Sequence, residues 1–367
     1  MKIDRLKLKN FRNYGNLDIE FDNKLNIIIG NNAQGKTNIL EAIYFLSITK
    51  SNLAINDKVC IRHDTLFSKI EGNISSSINS NKKLSIIINS TGKKIEINNV
   101  EIKKHADYIG NLRVIIFNPD NIRLIKDAPG NRRRFLNIEI SQLYGKYINT
   151  LNAYNNVLKQ RNEYLKIIKN SKVNYVYLDI INEKLVDLAA IIYEYRINFV
   201  NDINKYIGEI FKKIAGYEGL TIKYLPSIEI EDISFIKTKL QKKLDANLDK
   251  EISYGNTLIG PHRDDFIFNL NNNDLLLYGS QGQQKLAILA LKLAEIDVFN
   301  DVCGEYPVVL LDDLFSELDV EKRNKVINYL NKDIQIIVTT TDLKNVDKKF
   351  IKDASIFTID DGKIIDK

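Results

Sequence analysis

The sequence predicts an α/β fold whose two halves lie at the two ends of the chain, with a mainly helical insertion between them. Three observations carry this. A glycine-rich pattern, Gly30-Asn31-Asn32-Ala33-Gln34-Gly35-Lys36-Thr37, follows a short apolar run and opens a helical pattern. A second apolar run, Val308 to Leu311, ends on Asp312-Asp313. Between the two, apolar residues recur every three or four positions over long stretches. The chain has 367 residues, enough for two cores or for one domain with a large insertion. Residues 1–118 and 260–367 are assigned to the split α/β domain, and 119–259 to the insertion.

Residues 3 to 8 alternate polar and apolar, and Leu17, Ile19 and Phe21 alternate again, so two strands are expected with a turn at Asn13 to Asn16. Leu25 to Ile29 reads as a buried strand ending at Gly30. From Lys36 the pattern turns helical, with Ile39, Leu40, Ile43 and Leu46 on one face. Alternation at Leu84 to Ile88 and Ile95 to Ile97, with turns rich in Asn, Ser and Gly, predicts several antiparallel strands within 66–102. Val114 to Phe117 is a further strand, stopped by Asn118-Pro119. Helical spacing then runs from about Arg132 to Ile168. After a turn at Asn170 to Asn174 it resumes from Leu178 to Gly216. Segments this long predict an antiparallel helix pair, either packed into a bundle or projecting as a short coiled-coil-like arm. The last third reads as a helix over Leu286–Ile296, a strand over Val308–Leu311, a helix over Val320–Leu330 and a strand over Ile334–Val338.

Composition excludes several classes. Hydrophobic residues make up 44% of the chain, an ordinary globular value. No apolar run approaches the roughly 20 residues of a membrane span. Met1-Lys2-Ile3-Asp4-Arg5 lacks the features of a signal peptide, and the two cysteines, Cys60 and Cys303, form no metal-like spacing. Both are expected as reduced core thiols in a cytoplasmic protein. The net charge of +6 permits a nucleic-acid partner without requiring one.

Gly30 to Thr37 fits the pattern G-x-x-x-x-G-K-[ST] in the context it needs, after a strand and before a helix. The glycines let backbone N–H groups approach phosphate oxygens, and the following helix directs its positive end at the anion. Lys36 supplies charge to the β- and γ-phosphates, and Thr37 offers a hydroxyl to Mg²⁺. Asp312 would orient the metal through water. Asp313 would lie near the γ-phosphate and polarise the attacking water. ATP and Mg²⁺ are therefore the expected ligands. Thr37 and Asp312 are 275 residues apart, which itself calls for a large insertion between them.

With these residues in hand, the chain resembles the RecF family of bacterial DNA-repair ATPases, relatives of ABC and SMC proteins. The resemblance spans essentially the whole chain. It runs through Leu8-Lys9-Asn10-Phe11-Arg12-Asn13-Tyr14, the loop with Asn38-Ile39-Leu40-Glu41, and Pro129-Gly130-Asn131-Arg132-Arg133-Arg134-Phe135-Leu136. It continues through Gly260-Pro261-His262-Arg263-Asp264-Asp265, Gly279-Ser280-Gln281-Gly282-Gln283-Gln284, Leu311 to Asp319, and Thr339 to Thr341. It implies an ABC/SMC-type P-loop ATPase head, with nucleotide contacts from Gly30 through Asn38 and from Arg12. It further implies an ATP-dependent homodimer in which Ser280, Gly282 and Gln283 of one copy close on the nucleotide held by the other. Ser316 to Asp319 would meet the partner subunit. Double-stranded, gapped or junction DNA is the expected partner, with RecO and RecR. Asp313 stands where transporters use glutamate, Thr339 to Thr341 where they place a histidine, and Asn118 is the nearest candidate for their glutamine loop. Weak, slow Mg-dependent ATPase activity, below the enzyme median of about 10 s⁻¹, is therefore expected.

Two basic groups stay open at this level. Arg132, Arg133 and Arg134 open a helix, where cations oppose the macrodipole, and so call for DNA phosphates, ATP phosphates or acidic side chains nearby. Lys2, Arg5, Lys7 and Lys9 alternate on one strand face, as a DNA-backbone surface or as a solvated edge. An ABC transporter subunit is disfavoured by the insertion and by Asp313. A short SMC-like structural protein is the other competing reading.

Overall fold

The computed structural model describes residues 1–366 apart from 23, 170–173, 315–317, 331, 343–350 and 352–353. The chain forms two compact units. The first comprises 1–122, 206–218 and 281–367, and the second 123–205 and 219–280.

The first unit holds two sheets. β1 (Lys2–Phe11), β2 (Tyr14–Glu20), β4 (Phe67–Ser75), β5 (Lys82–Asn89), β6 (Lys93–Ile97) and β7 (Val100–Glu101) form an antiparallel sheet in the order β2-β1-β4-β5-β6-β7. The second sheet uses β3 (Leu25–Ile29), β8 (Val114–Phe117), β12 (Val308–Asp312), β13 (Ile336–Thr340), β14 (Ser355–Asp360) and β15 (Lys363–Asp366), in the order β15-β14-β3-β13-β12-β8. Its strands are parallel except for β15, which pairs antiparallel with β14. The inner strand β12 reads as an unbroken apolar run because both its faces are covered: Val308, Val309, Leu310 and Leu311 are all fully buried.

The helix Lys36–Ile48 touches β1, β4 and β5 of one sheet and β8, β12 and β13 of the other. Every residue from Ile39 to Ile48 is consequently buried. The expected single apolar face is thus too narrow a description, since a helix held between two sheets has no solvent side. Each fully buried Leu, Ile or Phe here contributes about 1.5–3 kcal/mol.

The β1–β2 connection is tighter than expected. Phe11 pairs with Tyr14, so the turn is Arg12-Asn13 and Asn16 lies within a strand. Arg12 takes a left-handed φ of 53° to make it. β1 is internal to its sheet and is no edge. Two of its cations are matched by an acid on the neighbouring strand, Arg5 with Asp18 at 2.7 Å and Lys7 with Asp18 at 3.3 Å, while Lys2 lies 3.9 Å from Asp333 and Lys9 lies over the Phe67 ring. Lys69 and Lys83 each lie 3.0 Å from Glu71. That face is a mixed ion ladder, not a uniformly basic surface.

The second unit contains the helices Pro129–Leu143, Gly145–Ile168 and Ile236–Tyr254, most of Tyr175–Ala215, and a small sheet of β9 (Leu220–Leu225), β10 (Asp265–Leu270) and β11 (Asn273–Asp274). The helical stretch expected from Arg132 to Ile168 is broken at Tyr144, which is extended at φ −133° just before Gly145. The expected turn at Asn170 to Asn174 falls on 170–173, outside the described residues, and on Asn174.

The helices pack into a bundle around buried polar centres. Arg161 bonds Asn182 (2.7 Å), Thr257 (2.8 Å) and Glu251 (2.7 Å), with both charged side chains fully buried. Arg196 meets Asp264 at 3.2 Å and the Pro261 carbonyl at 2.6 Å, while Tyr224 and Ser227 also donate to Asp264. His262 Nε2 faces the Thr257 carbonyl, so it carries the proton, and Nδ1 accepts from the Tyr154 hydroxyl at 2.7 Å. Burial keeps His262 neutral by lowering its pKa to about 4. The Gly260 to Asp265 block is thus the polar core of this unit.

Arg132 is settled by the same packing. It is buried and bonds Asp265 through two nitrogens at 2.6 and 2.8 Å, along with the carbonyls of Leu124, Ile125 and Asp127. It is an internal ion pair. Arg133 donates to the Asp264 carbonyl at 2.8 Å, and Arg134 is exposed.

Candidate functional site

The carboxyl ends of β3, β12, β13 and β8 lie side by side, the edge at which ligands bind in open parallel sheets. β3 runs into Gly30, β12 ends on Asp312, β13 carries Thr339 opposite Asp312, and β8 is followed by Asn118.

Gly30 to Gly35 form the loop between β3 and its helix. Asn31, Asn32 and Ala33 are exposed, while Gly35 and Lys36 are buried. Gly35 takes φ 103° and Ala33 φ 66°. A Cβ on Gly30 would lie 2.4 Å from the Ile359 carbonyl, and one on Gly35 2.4 Å from Asn13 Nδ2. Glycine is therefore required at Gly30 for space and at Gly35 for space and conformation. Lys36 folds back over the loop and donates to the carbonyls of Gly30 (2.6 Å) and Asn31 (2.8 Å). Burial lowers its pKa, and the nearby Asp313 and Asp312 oppose that shift. A cation held only by carbonyls is one that phosphate oxygens can recruit.

The acidic strand end closes onto the loop. Thr37 Oγ1 donates to Asp312 Oδ1 at 2.9 Å, and Thr339 Oγ1 donates to the same oxygen at 2.7 Å. Thr339 accepts in turn from the Asp313 backbone N–H at 3.0 Å. Asp313 takes a left-handed φ of 50°, a sharp turn directly after the strand. Burial raises the pKa of Asp312, with the charge of Asp313 adding and the two threonine hydroxyls opposing. The hard oxygens of Thr37 and Asp312, at the N-terminus of a helix, fit Mg²⁺ shared with nucleotide phosphates. Asn118 Oδ1 is buried with no hydrogen-bond partner, and Asn118 and Asp312 line one small apolar pocket with Phe117, Ile288 and Leu314.

Known proteins resemble this chain along its whole length. The family model for the RecF/RecN/SMC N terminal domain matches residues 2–363. The DNA replication and repair protein RecF of Bacillus pumilus is 41% identical over 371 residues, covering all of both chains. The chain belongs to the RecF family. Among solved structures, one of the recombination mediator protein RecF with ATP in the RecFOR pathway superposes with a TM-score of 0.91 at 32% identity, covering 99% of this chain and 96% of that one. The Smc head domain of Pyrococcus furiosus, bound to the C-terminal domain of ScpA, shares the fold at a TM-score of 0.55 and 16% identity. The α/β architecture is that of RecF and SMC-type ATPase heads.

The resemblance singled out further residues in this RecF-family chain. Arg12, in the β1–β2 turn, makes a two-point ion pair with fully buried Glu41 at 2.6 and 2.8 Å, which raises its pKa. Glu41 also receives Ser51 Oγ and lies 3.8 Å from Cys60 Sγ. Cys60 is buried and its thiol is pushed up to about 12; Cys303 is half-buried, and both are free. Ser280 and Gly282 are exposed and Gln283 is half-exposed, at the start of the helix Gln281–Cys303. Of the loop Ser316 to Asp319, Ser316 and Glu317 lie outside the described residues. Sequence reasoning gave no role to Asn13, Tyr14 or Thr339, although all three lie within blocks that carried the family resemblance. No described helix is long and apolar enough to cross a membrane.

Proposed function

We propose that the chain is an ATP-dependent DNA-binding protein of recombinational repair, with slow Mg-dependent ATPase activity. What carries the reading is the meeting of Thr37 and Asp312 at 2.9 Å across 275 residues of sequence, beside a glycine loop with a recruitable lysine. In this reading the ATPase halves, expected as 1–118 and 260–367, build their site within the first compact unit, while 260–280 pack in the second. The amides from Gly30 to Thr37, with Asn38, cradle the phosphates. Lys36 leaves its two carbonyls for the β- and γ-phosphates. Thr37 would hold Mg²⁺ directly and Asp312 through water, and the metal would neutralise charge on the phosphates. Asp313 polarises the attacking water, and Arg12, braced by Glu41, stands beside the nucleotide.

The exposed Ser280, Gly282 and Gln283, at a helix N-terminus, suit a second anion contact. In the proposed head-to-tail homodimer they cover the nucleotide of a second copy. The relatives named for DNA replication and repair and for the RecFOR pathway support DNA as partner and a role with RecO and RecR in loading recombinase at gaps. A cytoplasmic location follows from that role.

The test is nucleotide binding by calorimetry with and without Mg²⁺. The wild-type chain binds ATP and ADP, and Lys36→Met loses both. Unaltered binding by Lys36→Met would remove the proposed site.

A further inference from the structure

A loop that cradles phosphate must turn N–H groups toward the anion, and its carbonyls need partners elsewhere. Here Lys36 takes the Gly30 and Asn31 carbonyls. The Gly35 carbonyl accepts from the helix N–H groups of Asn38 at 3.0 Å and Ile39 at 3.3 Å. The β1–β2 turn adds a donor to each of the Gln34 and Gly35 carbonyls. Asn13 Nδ2 donates to the Gln34 carbonyl at 3.0 Å, and the Tyr14 hydroxyl donates to the Gly35 carbonyl at 3.0 Å. Asn13 Oδ1 accepts from Asn38 Nδ2 at 2.8 Å, reaching past the loop into the first turn of its helix. The opposite side is held by the β14–β15 turn, where the Asp361 N–H donates to Gln34 Oε1 at 2.5 Å. Gly362 lies so close that a Cβ there would come within 3.1 Å of the Asn13 carbonyl.

Gln34 is thus bonded through its carbonyl to one turn and through its side chain to the other. The loop is therefore tied to two turns far apart in sequence, and its Gln34 and Gly35 carbonyls are both satisfied without any ligand, the second also by the helix N–H groups of Asn38 and Ile39. Tyr14 is fully buried and Asn13 is exposed, so one bond is protected from water and the other competes with it.

We propose that Asn13 and the Tyr14 hydroxyl are positioning residues that pre-form the phosphate loop, and that the Gln34 side chain serves the C-terminal turn and not the nucleotide. This rests on the reading of Gly30 to Thr37 as the nucleotide loop. Positioning acts on the loop as a whole, so it affects ATP and ADP alike.

The test uses Tyr14→Phe, which removes one hydroxyl without changing the packed ring, and Asn13→Ala. Dissociation constants for Mg-ATP and Mg-ADP are measured by calorimetry, beside melting temperatures. Tyr14→Phe is expected to weaken both nucleotides by about 5–10-fold, the effect of one lost hydrogen bond, and Asn13→Ala, which loses the bonds to Gln34 and Asn38, by at least as much, with melting of the free protein unchanged within a degree or two. The double variant should lose less than the product of the two, because both bonds hold one peptide segment. Hydrogen exchange at residues 34–36 of the free protein should rise in both variants. Affinities within twofold of wild type, a loss confined to ATP, or a parallel drop in melting temperature would each overturn the proposal. If wild type and Lys36→Met bound nucleotide equally, the nucleotide reading itself would fall, a different outcome.

Discussion

Replacing Asp312 by Asn separates what this residue costs the fold from what it gives the ligand. Its carboxylate is partly buried, and its pKa is raised mainly by that burial, with Asp313 adding and the Thr339 and Thr37 hydroxyls opposing. A raised carboxyl pKa means that the native state binds the proton more tightly than the unfolded chain does. Stability is therefore lost as pH rises from the unfolded value, near 3.9, through the folded one, and the deficit is complete above it. Asparagine keeps an oxygen for both hydroxyls and removes the charge. The ligand-free Asp312→Asn chain should melt at or above wild type at pH 8, and the difference should vanish toward pH 4. Nucleotide reverses the order. At a Mg-ATP concentration 100 times its dissociation constant, wild type gains about 2.7 kcal/mol. Losing a group that holds the metal through water typically weakens affinity 10–100-fold. The variant at the same concentration then gains only about 0.4–1.4 kcal/mol. At about 2.1 cal/mol/K per residue, 367 residues give roughly 1.3 °C per kcal/mol, so the wild-type shift is about 3–4 °C and the variant's about 0.5–2 °C. Thermal melts with and without Mg-ATP between pH 4.5 and 8 read both effects. A ligand-free variant melting below wild type at pH 8, or an undiminished Mg-ATP shift, would refute the reasoning.

Three further outcomes are expected. Arg161→Met leaves Glu251 charged and buried, so urea unfolding should show a loss of about 3–5 kcal/mol, of which Arg161→Met/Glu251→Met recovers a substantial part; a double variant no better than the single would contradict this. Asp313→Asn should slow single-turnover hydrolysis by about 10²-fold or more while leaving the ATP dissociation constant within about threefold, and an unchanged rate would remove Asp313 from its role. If duplex DNA is held through six or more phosphates, its affinity should fall about 10³-fold between 50 and 200 mM salt, and a change below about tenfold would rule that mode out.

The geometry of the proposed nucleotide site was largely legible because its parts are local in sequence. A strand, a glycine loop and a helix sit together at 25–48, and β12 announces itself by four apolar residues before two aspartates. What joins them was not legible. Thr339 shares Asp312 through strand register, and Asn13 reaches the loop through a hairpin turn, neither of which leaves a spacing signal. The turn was placed at Asn13 to Asn16 because those residues favour turns, yet Arg12 takes the left-handed conformation instead. The break at Tyr144 was hidden because apolar spacing continues across it. The helix Ile236–Tyr254 buries only Ile236, Leu240, Leu244 and Glu251, too narrow a stripe to stand out. Asp361-Gly362 at the β14–β15 turn was a hairpin signal that went unread. The three consecutive arginines suggested one shared role, but burial divides them, with Arg132 locked onto Asp265 and Arg134 facing solvent.

The central claim is that this site is half of a site, completed by Ser280, Gly282 and Gln283 of a second copy. Light scattering on eluted protein, with and without Mg-ATP, tests it most directly through Ser280→Arg. The wild-type chain, 42.2 kDa, should elute as a monomer alone and at twice that mass with Mg-ATP. Ser280→Arg should bind ATP within about threefold of wild type and remain a monomer. A Ser280→Arg chain that dimerises with Mg-ATP as wild type does would contradict the account.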